Sequence, residues 1–207
     1  MTRNEPAPRI VDDLGAGGPA SIVVPAKYVL PDRVQGAGQA NLSGVPSDWY
    51  PPRNVEKLWE AIVIHHSATE NGNMALFDRI HREENHWVGV GYDFVIGNGT
   101  DSADGEVEVT FRWQKQMVGA HCKTPGNWAN QNGVGICLVG TFDHTTPSKP
   151  QMASLARLVE FLQARYRIPR SQVYGHRTTP GARSTDCPGA NFPMNDLHSL
   201  ISIRAGN

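Results

Sequence analysis

The stretch Ala61-Ile62-Val63-Ile64-His65-His66-Ser67 gives the clearest indication of the fold of this chain. Its first four residues are apolar and mostly β-branched or small, which is typical of a buried strand. Successive side chains of a strand point to opposite faces, so His65 and His66 cannot both enter one site at the end of that strand. The pair alone favours a functional site only modestly over two ordinary surface histidines.

Further strands and helices are predicted on the C-terminal side of this stretch. Strand patterns are found at residues 92–96, 106–111, 134–140 and 173–174. Helical spacing of apolar residues is found from Met74 to His86, from an N-cap at Ser148 to Leu162, and from Met194 to Ile203. Because strands and helices interleave, the predicted class is α/β, a single domain with a central mixed β-sheet flanked by helices.

The first 50 residues differ from the rest in composition. They are rich in proline, glycine and alanine and show no sustained period, so we predict an arm or linker over 1–50 and a domain over 51–207. The N-terminus also lacks the apolar run of roughly 7–15 residues that a secretory signal needs. The sequence leaves open a chain made without a leader, another route of export, or a leader that has been trimmed.

The composition excludes several classes of function. The 207 residues are 39% hydrophobic and 19% charged, which is typical of a globular protein. A net charge of −1 does not indicate nucleic acid as a partner, and no apolar run approaches the ~20 residues of a transmembrane helix. The three cysteines do not form a disulfide framework, so at least one of them is free or bound to something.

One cysteine and a second histidine lie in a single segment near the C-terminus. His176 follows a predicted strand, and Cys187 begins a Cys-Pro-Gly turn further along the same loop. A catalytic zinc ion typically takes three protein ligands from His, Cys, Asp or Glu and leaves its fourth position to water. Singly, His65, His176 and Cys187 are each explained as well by an ordinary structural role, but together they predict a metal site.

Five separate regions of the chain resemble the type-2 N-acetylmuramoyl-L-alanine amidases, the superfamily that includes the peptidoglycan recognition proteins. The similar stretches are 64–67, 87–94, 118–122, 133–140, and 175–177 together with 185–189. The resemblance extends from about Ile62 to Gly189. It implies a zinc site at one edge of a groove. This sequence differs from typical members of the family in having a longer loop between His176 and Cys187.

The resemblance also implies an activity and a catalytic set. The activity is zinc-dependent hydrolysis of the amide bond between N-acetylmuramic acid and L-alanine in peptidoglycan, with one Zn²⁺ per chain. The implied metal ligands are His65, His176 and Cys187. Tyr92 corresponds to the tyrosine that positions or activates the attacking water, and Thr185 supplies a catalytic hydroxyl where some members have lysine.

Four more residues are predicted to contact the substrate. His121 lies in the Gly-Ala-His element beside the groove, and His81 lies on the first helix, where a solvated helix face explains it nearly as well. The other two are Trp128 and Asn130, which precede the central strand. Loops often carry aromatic and amide side chains without any contact with a substrate, so an ordinary loop also explains these two residues. The sequence does not separate the roles of Tyr92, His121 and Thr185 in stabilising the oxyanion and protonating the leaving nitrogen.

Two alternatives to this function stay open. The first is a non-catalytic peptidoglycan-binding receptor module, in which the cysteine ligand is characteristically replaced, so the presence of Cys187 weighs against it. The second is an amidase that acts on anhydro-muropeptides during wall recycling. The expected partners are therefore peptidoglycan strands or muropeptides. We expect the protein to act at the cell wall, in an extracellular or periplasmic compartment, and we assume that it is a monomer.

Overall fold

Five strands form one mixed sheet, in the spatial order β3-β2-β4-β1-β5. The structure is a computed structural model and describes residues 44–205. Strands β2, β4, β1 and β5 are parallel, and β3 pairs with β2 in the antiparallel direction. The strands are β1 (Ala61–His66), β2 (Phe94–Ile96), β3 (Val107–Val109), β4 (Gly133–Leu138) and β5 (Val173–Gly175). The predicted α/β class with a mixed sheet is confirmed.

The two central strands explain the continuous apolar runs of the sequence. All six residues of β1 and all six of β4 are buried, and they pair in register from Ala61 with Gly133 to His66 with Leu138. Strands covered on both faces need no polar alternation, which is why the first four residues of β1 and all of β4 are apolar. Because β1 runs parallel to β4 and β5, its last residues lie at the carboxyl edge of the sheet.

Within residues 44–205, five α-helices flank the sheet: α1 (Met74–Glu83), α2 (Phe111–Lys115), α3 (Trp128–Asn132), α4 (Lys149–Tyr166) and α5 (Met194–Ala205). The predicted N-cap of α4 is confirmed, because the Ser148 hydroxyl accepts from the Gln151 backbone N–H and the Gln151 side chain accepts from the Ser148 backbone N–H. Helices α4 and α5 pack their apolar residues on the face of the sheet that carries Ile62 and Ile64.

The two faces of β1 separate the adjacent histidines as the sequence predicts. The ring of His66 lies 5.9 Å from that of Phe142, a member of the α4-side core, and its Nδ1 accepts from the Phe142 backbone N–H. The ring of His65 lies on the opposite face, 5.2 Å from the ring of Tyr92. Only one histidine of the pair is therefore available to a site on that face.

The predicted strand over 106–111 is wrong at its C-terminal end. Strand β3 ends at Val109, and Thr110 instead caps α2, its hydroxyl accepting from the Arg112 backbone N–H. The alternating pattern does not distinguish a strand from a strand followed by a capped helical turn. Smaller differences are that β2 begins at Phe94 instead of residue 92 and that β4 ends at Leu138 instead of residue 140.

Most of the predicted N-terminal arm lies outside the described residues. Of its range, residues 44–50 are described, and Trp49 is buried with its ring 5.7 Å from that of Phe161 on α4. The indole N–H of Trp113 donates to the backbone carbonyl of Trp49. Residues next to the predicted boundary thus pack with the domain core. Within the part of the chain that the structure describes, no helix has the length and apolar content to cross a membrane.

Candidate metal centre

Three side chains converge at the carboxyl edge of the sheet. His65 is the last residue but one of strand β1, His176 directly follows the neighbouring strand β5, and Cys187 lies in the loop that leads towards α5. One ligand atom from each lies within 4.8 Å of the others. Parallel neighbours bring their carboxyl ends together, which is the usual place for a ligand in an open α/β sheet.

The distances fit a tetrahedral zinc ion. His65 Nδ1 lies 3.6 Å from Cys187 Sγ. Zinc bonds of about 2.0–2.1 Å to nitrogen and about 2.3 Å to sulfur, at a tetrahedral angle, separate the two ligand atoms by about 3.6 Å. The rings of His65 and His176 have centroids 4.6 Å apart. Two imidazoles and one thiol are also a donor set that zinc prefers.

Burial sets the protonation of these side chains. It lowers the pKa of His176 to about 4 and that of His65 well below its ordinary value, with neighbouring histidines adding to the second shift. Both rings are therefore neutral near pH 7, as metal ligands must be. Burial raises the pKa of the Cys187 thiol to about 12, while the backbone N–H of His66 acts in the opposite direction. A cation that binds here must displace the thiol proton.

The turn that carries Cys187 is fixed by its own hydrogen bonds. The backbone N–H of Cys187 donates to the Thr185 hydroxyl over 3.2 Å, and its carbonyl accepts from the Arg177 N–H over 2.8 Å. Pro188 packs so closely on Gly175 that a Cβ there would lie 2.9 Å from the proline ring. These contacts tie the turn to the strand before His176. The catalytic role of Thr185 stays a prediction.

Tyr92 lies beside the three converging side chains. Its ring centroid is 5.2 Å from that of His65 and 5.9 Å from that of His81. Burial raises the pKa of this phenol well above its ordinary value, so Tyr92 keeps its proton and acts as a hydrogen-bond donor.

His81 lies on the Tyr92 side of the site. Its ring is 5.9 Å from that of Tyr92 and 4.9 Å from that of Trp87, and its Nδ1 accepts from the Gly91 backbone N–H over 3.0 Å. Burial lowers the pKa of His81 to about 4, so the ring is neutral near pH 7. The half-buried ring is held in place by these contacts instead of lying on a solvated helix face. Its substrate contact stays a prediction.

Asn130 and Trp128 support loops next to the site. The buried Asn130 side chain accepts from the backbone N–H groups of His121 and Cys122, over 2.8 and 2.9 Å. The indole N–H of Trp128 donates to the carbonyl of Pro180, in the long loop before Cys187. The structure thus gives both residues internal roles, and the substrate contacts predicted for them remain untested.

His121 is buried next to His65, and its predicted contact with the substrate stays a prediction. Its Nδ1 lies 3.1 Å from His65 Nε2, and its Nε2 lies 3.2 Å from the carbonyl oxygen of Gly133. Burial lowers the pKa of His121 to about 3, so this ring too is neutral. The sequence placed His121 at the site but gave no signal for a direct contact with His65, because the two residues are far apart in the chain.

Arg112 is a further residue near the site that the sequence pattern missed. Its guanidinium is buried and donates to the carbonyls of Val90 and Val118. These carbonyls lie just before Tyr92 and His121 in the chain, so one side chain ties the two segments together. Charged residues are rarely buried, and a prediction from residue type therefore assigns such an arginine to the surface.

Comparison with known proteins gives consistent matches. The family described as N-acetylmuramoyl-L-alanine amidase matches residues 54–190, well over half of the chain. Peptidoglycan-recognition protein SC2 of Drosophila melanogaster is 30% identical over 155 residues, which cover 69% of this chain and 74% of that protein. The endolysin of Escherichia phage T7 is 35% identical over 117 residues, covering 52% of this chain and 68% of the endolysin.

Solved structures also resemble this fold. N-acetylmuramoyl-L-alanine amidase LysC from Clostridium intestinale superposes with a TM-score of 0.59 at 30% sequence identity. The superposition covers 70% of this chain and 85% of that one. The family match over residues 54–190 includes every strand of the sheet. It also includes the three converging side chains His65, His176 and Cys187.

Proposed function

This chain belongs to the N-acetylmuramoyl-L-alanine amidase family, and on that premise we propose that it hydrolyses the amide bond between N-acetylmuramic acid and L-alanine in peptidoglycan. We propose further that the reaction depends on one zinc ion held by His65, His176 and Cys187. The observation that carries the proposal is the convergence of these three side chains within 4.8 Å at the carboxyl edge of the sheet.

The donor set suits amide hydrolysis. A zinc ion bound by these residues supplies Lewis-acid polarisation of a carbonyl and lowers the pKa of a water molecule towards ~7. Two neutral imidazoles and one thiolate cancel only one of the two positive charges of Zn²⁺, so the site stays electrophilic. The chain's part is to hold these three side chains in place on strand β1, directly after strand β5 and in a fixed turn.

Tyr92 is the proposed hydrogen-bond donor to the reacting groups. Its hydroxyl is protonated near pH 7, as a phenol ordinarily is, and burial raises its pKa further; its ring lies next to His65. A protonated phenol at this position can donate to the oxyanion of the tetrahedral intermediate or to the leaving nitrogen of L-alanine. The hydroxyl of Thr185, two residues before Cys187, is the second proposed donor.

A purely binding module is the main alternative, and similarity to a peptidoglycan-recognition protein makes it worth testing. Retention of Cys187, both histidines and Tyr92 supports the enzyme, because a binding module needs no metal ligands. In either case the proposed partner is peptidoglycan or a fragment of it.

The proposal is tested by incubating zinc-loaded protein with intact sacculi and, separately, with soluble anhydro-muropeptides. We expect new peptide amino termini that begin with L-alanine to appear from the sacculi. Release from the soluble fragment alone would assign the chain to wall recycling. Binding to sacculi without any new amino terminus would contradict the enzyme and support the binding module.

A further inference from the structure

We infer that His121 is a positioning residue that fixes the ring of His65 with its unprotonated Nδ1 facing Cys187. The inference rests on the proposed function, because it concerns how the chain prepares one of the three proposed zinc ligands. It also changes the role that the sequence predicts for His121, from contact with the substrate to support of a ligand.

The direction of each hydrogen bond follows from one carbonyl group. The Gly133 carbonyl oxygen can only accept, so the Nε2 of His121, 3.2 Å away, must carry a proton. His121 is 6% exposed, and burial disfavours a second proton on its ring. The Nδ1 of His121 therefore accepts, and the Nε2 of His65, 3.1 Å away, donates to it.

This chain of two hydrogen bonds selects the tautomer of His65. A neutral imidazole with its proton on Nε2 has a free lone pair on Nδ1. That nitrogen lies 3.6 Å from Cys187 Sγ, the separation expected for two ligands of one zinc ion. In the other tautomer a proton would stand where the cation binds. The geometry thus makes Nδ1 the ligating atom of His65.

Two glycines hold the His121 ring in this orientation. A Cβ at Gly119 or at Gly135 would lie 2.5 Å from the Cδ2 atom of His121, so only glycine leaves room for the ring at either position. The backbone N–H of His121 is also anchored by the Asn130 side chain. The ring is enclosed between a loop and strand β4, which is the rigid support that orienting a metal ligand requires.

The test compares two substitutions of His121. His121→Leu removes the hydrogen-bond acceptor and replaces the ring with an apolar side chain of similar volume. His121→Asn keeps an acceptor, because its Oδ1 stands near the position of the histidine Nδ1. His144→Ala, at an exposed position, serves as the control. All proteins are prepared as the full chain and checked for a cooperative thermal unfolding transition.

The first measurement is nitrogen-15 NMR of the His65 ring in zinc-free protein. We expect the proton on Nε2 in the wild type and in His121→Asn, and a mixture of tautomers in His121→Leu. The second is zinc affinity by competition with a chelator. We expect a loss of about 10- to 100-fold for His121→Leu, recovery of most of it in His121→Asn, and no change in His144→Ala.

Two results would overturn the inference. One is a folded His121→Leu protein that binds zinc as tightly as the wild type and keeps the proton of His65 on Nε2. The other is a wild-type protein with that proton on Nδ1, which decides the matter even if His121→Leu does not fold. Failure of the wild type to bind zinc would instead contradict the proposed function, since the tautomer is measured without metal.

Discussion

Among single residues, Cys187 makes zinc binding at the proposed site depend on pH. Its thiol has a pKa raised to about 12 by burial, whereas the pKa of His176 is lowered to about 4 and that of His65 is lower than usual. Between these limits only the cysteine must lose a proton when zinc binds. Binding should therefore release one proton per metal ion.

Zinc affinity should accordingly increase about tenfold for each pH unit between pH 5.5 and 7.5, because one proton is displaced. The measurement is competition with a chelator of known pH dependence at several pH values. An increase in zinc affinity of about a hundredfold per pH unit would correspond to two displaced protons and would mean that a histidine is also protonated in the free protein. A flat profile would mean that Cys187 does not ligate the ion.

Replacing Tyr92 separates catalysis from metal binding. Tyr92→Phe keeps the ring next to His65 and removes the hydroxyl, so zinc content should be unchanged while turnover falls by about 100-fold. The matched control is Tyr174→Phe, whose hydroxyl donates to Gln172. Steady-state hydrolysis of a muropeptide measures both. Full activity in Tyr92→Phe would remove this hydroxyl from the mechanism.

At the scale of secondary-structure elements, the sequence predicts the elements whose pattern is local. The apolar runs of β1 and β4 and the Ser148 cap of α4 are recognisable because burial and capping follow from neighbouring residues. The turn into α2 is not recognisable in the same way, because the alternating pattern over 106–111 suits a continuous strand as well as a strand followed by a turn that Thr110 caps.

The site was predictable for a different reason from the fold. The candidate ligands could be proposed from residue type and family resemblance, and the structure brings His65, His176 and Cys187 together. The contact between His65 and His121 could not be predicted, because it depends on the space left by Gly119 and Gly135. No local pattern contains that information.

The N-cap of α4 contributes to the stability of the helix and not to the candidate metal centre. Ser148→Ala removes the acceptor for the Gln151 N–H and should lower the free energy of unfolding by about 1 kcal/mol. Zinc affinity should not change. Ser199→Ala, on the exposed side of α5, is the control. Urea unfolding of both variants measures the difference, and equal stabilities would contradict the assigned cap.

For the whole molecule, Asp93 links stability to pH. The carboxylate is fully buried, and its Oδ2 accepts from the Gly135 N–H over 2.8 Å. No hydrogen-bond partner for its Oδ1 is found among the described residues. Burial raises the pKa of Asp93 to about 7, although that N–H and the charges of Lys57 and Arg112 act against the shift. The folded protein therefore holds this proton more tightly than the unfolded chain does.

The sign of the effect follows from linkage. Stabilisation by the bound proton is complete below the unfolded pKa of about 4 and is lost as the pH rises to about 7. Asp93→Asn cannot ionise, so its stability relative to the wild type should improve across this range, by up to about 4 kcal/mol. Urea unfolding at pH 4, 5.5 and 7.5 measures the difference. A difference that does not vary with pH would contradict a buried, protonated Asp93.

The most direct test of the zinc-amidase proposal is mass analysis of the products of one defined muropeptide. The wild type should release a peptide that begins with L-alanine and a glycan that ends in N-acetylmuramic acid. A chelator should stop the reaction, added zinc should restore it, and Cys187→Ala should neither bind zinc tightly nor react. Cleavage at another bond, or normal cleavage by a Cys187→Ala protein that still holds one zinc ion, would contradict the proposal.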